Sequence, residues 1–167
     1  DTNKNTTVFV KTGLFEENLP IRIPKNCAVV GDELRSTTVQ PAEGFEESNM
    51  FLVRNGSGLR NMTLQGLSGI LSEPGEYNTR RPSAGAFVSL DPGEGPDDES
   101  VWITTKSCYV QNVSTFGTAC IGMKIDGSLH NGGNRSIVAN DFTQVLSDGI
   151  GYWADNLGRS ELVSVFT

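Results

Sequence analysis

Towards its C-terminal end the chain repeats itself, and that repeat limits the architectures open to it. Tyr109-Val110-Gln111-Asn112-Val113 leads into Ile121-Gly122-Met123-Lys124-Ile125-Asp126-Gly127, and Ile137-Val138-Ala139-Asn140-Asp141 leads into Ile150-Gly151-Tyr152-Trp153-Ala154-Asp155-Asn156. The offset from Asn112 to Asn140 is 140 minus 112, or 28, whereas that from Ile121 to Ile150 is 150 minus 121, or 29, so one inserted residue aligns the copies. An earlier copy of the first half stands at Leu59-Arg60-Asn61-Met62-Thr63; Asn61 precedes Asn112 by 112 minus 61, or 51, which reads as two periods. A further copy begins at Glu161-Leu162-Val163-Ser164-Val165, with Ser164 in the asparagine position at an offset from Asn140 of 164 minus 140, or 24.

Short strands and polar turns recurring at about 25 residues, without helical periodicity, predict an all-β fold in which each repeat is one coil of a parallel β-solenoid. No coil can bury its apolar side alone, so stacking makes the core and like residues sit above like. Asn61, Asn112 and Asn140 are then expected to form a ladder of stacked amides. Asn61-Met62-Thr63 and Asn112-Val113-Ser114 are also formal glycosylation sequons, but recurrence beside apolar residues favours the ladder. The leucine spacing and helical side of a leucine-rich repeat are missing, and a β-sandwich is the weaker alternative.

Composition agrees with many tight turns. Gly (19), Ser (15), Thr (14) and Asn (13) make up 61 of the 167 residues, and charged residues, at 20%, fall below the roughly 25% of ordinary domains. A net charge of -7 argues against a nucleic-acid partner, which needs basic patches. No apolar run approaches the roughly 18 residues of a membrane helix, so no membrane insertion is expected. Cys27, Cys108 and Cys120 are expected as free, buried thiols of a protein assembled in a reducing cytosol. His130 is the sole histidine and leaves zinc without a ligand set; no metal or other cofactor is expected.

Strands are predicted over residues 7–10, 19–23, 28–30, 38–40, 50–53, 59–64, 87–90, 101–104 and 109–115. In Leu19-Pro20-Ile21-Arg22-Ile23 apolar residues alternate with polar ones, predicting one buried and one wet face. Gly31, after Val29 and Val30, is expected to mark a turn. Two stretches break the period and read as loops ejected from a coil: residues 68–86, with Arg80, Arg81 and Pro82, and residues 91–100.

The second loop carries Asp91, Glu94, Asp97, Asp98 and Glu99. Calcium takes clustered carboxylates, but the spacing departs from the DxDxDG pattern and a solvated loop is the preferred reading. Glu43, Glu46 and Glu47 are read as surface. Asp126 and Asp155 occupy equivalent places in successive coils, so stacking is expected to bring them about one strand spacing apart, near 5 Å, where each would raise the other's pKa. Such a carboxylate pair could cleave a glycosidic bond, yet Asp126-Gly127 and Asp155-Asn156 are also ordinary turn signals, as Asp141 and Asp148 can be, and the turn reading is preferred. No nucleophile motif surrounds any serine. The glycines of Arg54-Asn55-Gly56-Ser57-Gly58 precede a strand and read as turn residues rather than a phosphate loop. Of the neighbours Tyr152 and Trp153, one is expected to point inward and the other outward, where it could meet a sugar, although packing is the preferred role. No residue is assigned a catalytic, cofactor or metal role.

The run Asn18-Leu19-Pro20-Ile21-Arg22-Ile23-Pro24 through Val30-Gly31-Asp32-Glu33-Leu34-Arg35-Ser36-Thr37 resembles the opening coils of pectate-lyase-like and tailspike-like right-handed β-helices. Phe51-Leu52-Val53-Arg54-Asn55-Gly56, Ser89-Leu90-Asp91-Pro92-Gly93, the run from Lys124 to Gly133 and the run from Ile137 to Gln144 resemble large virion structural proteins of T4-like phages infecting marine cyanobacteria. The resemblance implies a single-stranded right-handed parallel β-helix over residues 1–167, with coils of about 25 residues and two inserted loops. It implies a structural part of a virion tail fibre, spike or baseplate region, typically a homotrimer, assembled in the host cytoplasm beside other virion proteins. These are scaffold motifs, and no catalytic residue is carried over. A polysaccharide depolymerase or lyase and a non-catalytic adhesin for host surface glycans are the alternatives. Residue 1 is Asp, and the strand near residue 166 stops without a polar cap, so the chain is expected to continue in a longer polypeptide or to be covered at that end by a partner chain.

Overall fold

The computed structural model describes residues 5–92, 107–129 and 136–167. It is all-β: β1 (Thr6–Val10), β2 (Gly13–Glu17), β3 (Ile21–Arg22), β4 (Cys27–Gly31), β5 (Thr37–Pro41), β6 (Phe51–Val53), β7 (Gly58–Ser68), β8 (Ala86–Leu90), β9 (Cys108–Thr118), β10 (Ile121–Asp126), β11 (Ser136–Ser147), β12 (Ile150–Asp155) and β13 (Arg159–Phe166), with 3-10 turns at Glu76–Asn78 and Gly127–Leu129. The strand expected over 101–104, the acids Glu94, Asp97, Asp98 and Glu99, and His130 lie outside the described residues.

The strands form two sheets whose ladders are parallel. One follows the order β1-β4-β7-β9-β11-β13, with β2 on β5 and β5 on β7; the other runs β12-β10-β8-β6-β3. From β5 onwards the described strands alternate between the two sheets, so among the described residues each return to the first sheet passes through one strand of the second. Parallel neighbours need such crossovers because a tight hairpin cannot join them. The register steps are unequal. Ala28 pairs with Gly58, a step of 58 minus 28, or 30. Gly58 pairs with Tyr109, a step of 109 minus 58, or 51. Cys108 pairs with Ile137, a step of 137 minus 108, or 29, and Ser136 with Arg159, a step of 159 minus 136, or 23.

Two expectations about the repeat are thereby corrected. The interval from Asn61 to Asn112 is one step, not two, because β7 pairs directly with β9; residues 69–85 and the chain after Leu90 are accommodated within that step. No residue is inserted between the last copies either. Asn61, Asn112, Asp141 and Ser164 all have left-handed backbone, with φ of 57°, 53°, 52° and 51°, and each lies between paired residues of its strand. From Asn112 to Asp141 is 141 minus 112, or 29, the same step as from Ile121 to Ile150. The ladder column therefore runs through Asp141 and not Asn140, which pairs with Gln111 as an ordinary strand residue. Asn and Asp enter this region more readily than other side-chain-bearing residues because their short polar groups bond locally. The amide ladder itself has one rung, Asn112 Nδ2 donating to Asn61 Oδ1 at 3.1 Å. In the strand before, Gly31 ends β4 instead of marking a turn, and a Cβ there would strike the Asn61 carbonyl.

Side chains alternate as pleating requires. Leu59, Val110 and Ala139 form one buried column, and Met62, Val113 and Phe142 another. Phe51, Val88 and Met123, one register column of the second sheet, belong to the same core cluster. Burying each large side chain is worth about 1.5–3 kcal/mol, and none of these strands has enough apolar surface to do so without its neighbours. The column Val39, Leu64, Thr115, Gln144 turns polar towards β11. Glycine at 122 leaves the space that the Gln144 carboxamide fills. On the outside, Gln65 Nε2 donates to Gln40 Oε1 at 2.9 Å and Gln40 Nε2 to Glu16 Oε1 at 2.8 Å, a second polar ladder.

Candidate functional site

Asp126 and Asp155 stack in register as expected, but they do not make an acid pair. Asp126 Oδ1 accepts from Ser128 Oγ at 2.6 Å, Ser128 N at 2.9 Å and Asn156 Nδ2 at 2.9 Å. The Ser128 hydroxyl is the chief cause of a pKa below the carboxylate's ordinary value, opposite to the expected rise. A carboxyl held ionised in this way is a poor general acid. Asp155 Oδ2 accepts from Trp153 Nε1 at 3.1 Å. Asp148, with φ of 54°, sits in the turn between β11 and β12 as expected, whereas Asp141, with φ of 52°, lies within β11 and not in a turn.

Asp91 itself is not solvated, contrary to the expectation for its segment, whose other acids lie outside the described residues. It is fully buried, with Arg22 Nη1 bonded to Oδ1 and Arg54 Nε donating to Oδ2 at 2.7 Å. Val53 O accepts from the Asp91 backbone N–H at 3.0 Å, placing the carboxylate where arginines from two neighbouring strand ends converge. A buried charge held this way serves structure, since removing either sign strands the other. Arg54 to Gly58 form a tight turn: Gly56 has φ 69°, and the Ser57 hydroxyl donates to Arg54 O at 2.6 Å. Glu43 and Glu47 are exposed and Glu46 is half-buried. The three cysteines are free and buried; burial pushes Cys108 up to about 12 and Cys120 up to about 11. Among the described residues no group of three or more His, Cys, Asp or Glu could hold a metal ion, and no helix is long and apolar enough to cross a membrane.

The two aromatics of β12 divide as their alternation requires. Tyr152 packs against the core and its Oη accepts from Ser160 Oγ at 2.8 Å, while Trp153 lies on the outer face above Lys124. The outward column of the second sheet runs Arg22, Leu52, Ser89, Lys124, Trp153. Over its last member comes a cation from a distant part of the sequence: Arg81 Cζ is 5.1 Å from the Trp153 ring centroid, and Lys124 Nζ is 5.5 Å from it. Thr79, Arg80, Arg81, Ile150, Trp153 and Ala154 are among the residues around a groove of about 360 Å³. This site was invisible in the sequence, because its halves are far apart along the chain and meet only through the 69–85 excursion; Arg80-Arg81 beside a proline was the available signal. No family model, curated protein or solved structure matches the chain.

Proposed function

We propose that the chain winds as a right-handed parallel β-helix and serves as a rigid structural segment of a virion tail fibre, spike or baseplate region, working as a homotrimer among other virion proteins. The observation that supports this reading is the six-strand path of the first sheet, whose parallel register continues across steps of very different length. Inter-strand hydrogen bonds then run along the stacking direction, and five spacings of about 4.8 Å give about 24 Å of stiff rise. The virion context comes from the resemblance of the motif runs. A glycan-cleaving role draws no support from Asp126, whose carboxyl is tied into a turn, or from Asp91, which is tied to two arginines.

The test joins sedimentation velocity with electron microscopy of the purified chain, expecting an elongated trimer with strands perpendicular to its long axis. A compact monomer would count against the assembly, and a left-handed path against the winding. New reducing ends or unsaturated products released from cell-surface glycans would replace the structural reading with the enzymatic one.

A further inference from the structure

We propose that the two ends of the stack are complementary, so that a second copy of this chain seats its β1 and β2 on the outer edge of β13 and the first sheet runs on from one molecule into the next. The inference goes beyond the structural reading above and is independent of the homotrimer. Two outward columns of the first sheet carry it. One runs Phe9, Val30, Arg60, Gln111, Asn140, Val163, and the other Leu14, Thr38, Thr63, Ser114, Thr143, Phe166. Their middle members are polar, Val30 excepted, as suits the outer face of a sheet, whereas Phe9, Leu14, Val163 and Phe166 are large, apolar and exposed. A third column, facing inward, runs from Val8 through Val29, Leu59, Val110 and Ala139 to Leu162, and both its end members are exposed too. Three columns thus end in exposed apolar side chains at both ends of the stack.

A copy displaced along the stack keeps every strand parallel and sets Val8 against Leu162, Phe9 against Val163 and Leu14 against Phe166, so each apolar end meets another. No like charges oppose one another in that register: Glu161 meets Thr7, and the other facing residues, from Ser160 and Thr6 to Phe166 and Leu14, are uncharged. Lys11 and Thr12 separate β1 from β2 while β13 is continuous, a pairing that the molecule already makes where continuous β7 takes both β4 and β5. The second sheet is guarded at its β3 edge. Ile21 and Ile23 give their N–H groups to the Met50 and Leu52 carbonyls, and Pro20 and Pro24 have none to give, which confines the contact to the first sheet. A ladder of about 23 Å makes a smaller interface than the standard one, so the contact is weak and depends on concentration. Its two halves are different surfaces, which makes the association head-to-tail and open-ended.

Sedimentation velocity of the full chain, up to about 1 mM to reach weak association, reads the growth. The expected result is a concentration-dependent series of multiples of the smallest species, with electron microscopy showing them joined end to end. Two double variants locate the contact: Phe9→Lys with Leu14→Lys blocks one end, and Val163→Lys with Phe166→Lys blocks the other. All four side chains are exposed, so melting temperatures are expected to match the parent; serine versions test the same contact without added charge. Each variant alone should stay at the smallest species, whereas an equimolar mixture should pair one to one and stop, because one open end of each kind remains. Since sizes are read as multiples of the smallest species, a monomeric unit would refute the trimer and leave this inference standing. The proposal is overturned if the parent does not grow, if either variant grows alone as the parent does, or if the mixture fails to pair.

Discussion

Replacing Asn112 by alanine and by glycine separates the two things this residue does. Its φ of 53° lies where a Cβ is penalised, by about 1–2 kcal/mol for an ordinary L-residue, and its amide donates to Asn61, a bond worth about 0.5–1.5 kcal/mol net. Asn112→Ala loses the bond and keeps a Cβ in the left-handed region, for a cost of about 2–3 kcal/mol. Asn112→Gly loses the same bond but is free of that penalty; adding the unfolded-state entropy of glycine, its cost is about 1–1.5 kcal/mol. Glycine should therefore be the more stable variant by about 1 kcal/mol, which at a urea m-value near 2 kcal/mol/M separates the midpoints by about 0.5 M. The neighbouring Gln111, absent from the positive-φ residues and paired in an ordinary ladder, supplies the control: there alanine should beat glycine by about 0.5–1 kcal/mol. The assay is urea unfolding followed by circular dichroism. If Asn112→Gly proves no more stable than Asn112→Ala, the left-handed geometry is not what selects asparagine at this column, and the argument fails.

Three further outcomes are expected. Asp91→Ala should destabilise by about 2 kcal/mol, below the roughly 3–5 kcal/mol typical of a fully buried pair, because the Arg22 side chain is half exposed and can hydrate; a change under about 0.5 kcal/mol in urea titrations would contradict the structural role given to this carboxylate. Cys108 and Cys120 should resist iodoacetamide at pH 8 while the chain is folded and react in denaturant, as burial keeps both as thiols; rapid labelling of the native chain, read by mass spectrometry, would refute their burial. Asp126 titrates below its ordinary value of 3.8, so its contribution is complete above that pH and is lost as the pH falls through the lower folded value. Asp126→Asn should accordingly lose less stability than the parent between about pH 4 and pH 2, as melting temperatures across that range would report.

The strands were legible where apolar residues alternate between turn signals. The copies around Ile121 and Ile150 fixed a register that the ladder reproduces residue for residue through Asp126 and Asp155. Matching asparagine to asparagine misplaced the last rung by one, because the backbone asks for a left-handed conformation and Asp141 supplies it as well as asparagine would. β2 was not among the expected strands, because Gly13-Leu14-Phe15-Glu16-Glu17 has no apolar alternation; its pairing with β5, and the Glu16–Gln40 bond, come from a distant neighbour in sequence and from no local pattern. Asp91 looked like one acid among five until two arginines from other strands met it. The Trp153 groove was illegible for the same reason: the aromatic was noticed, while its cation comes from an excursion whose return path no periodicity encodes.

The unequal register steps have a consequence for how such a chain can change over generations. Closing the long step from β7 to β9 instead of the shorter one from β9 to β11 costs only about 0.5 kcal/mol of additional chain entropy, since the penalty grows with the logarithm of length. Sequence can thus be gained or lost between Ser68 and Ala86 while β7 and β8 keep their partners and the core its columns. Stiffness is inherited through the strands and surface chemistry through the excursion that carries Arg80 and Arg81, so selection can alter one without disturbing the other.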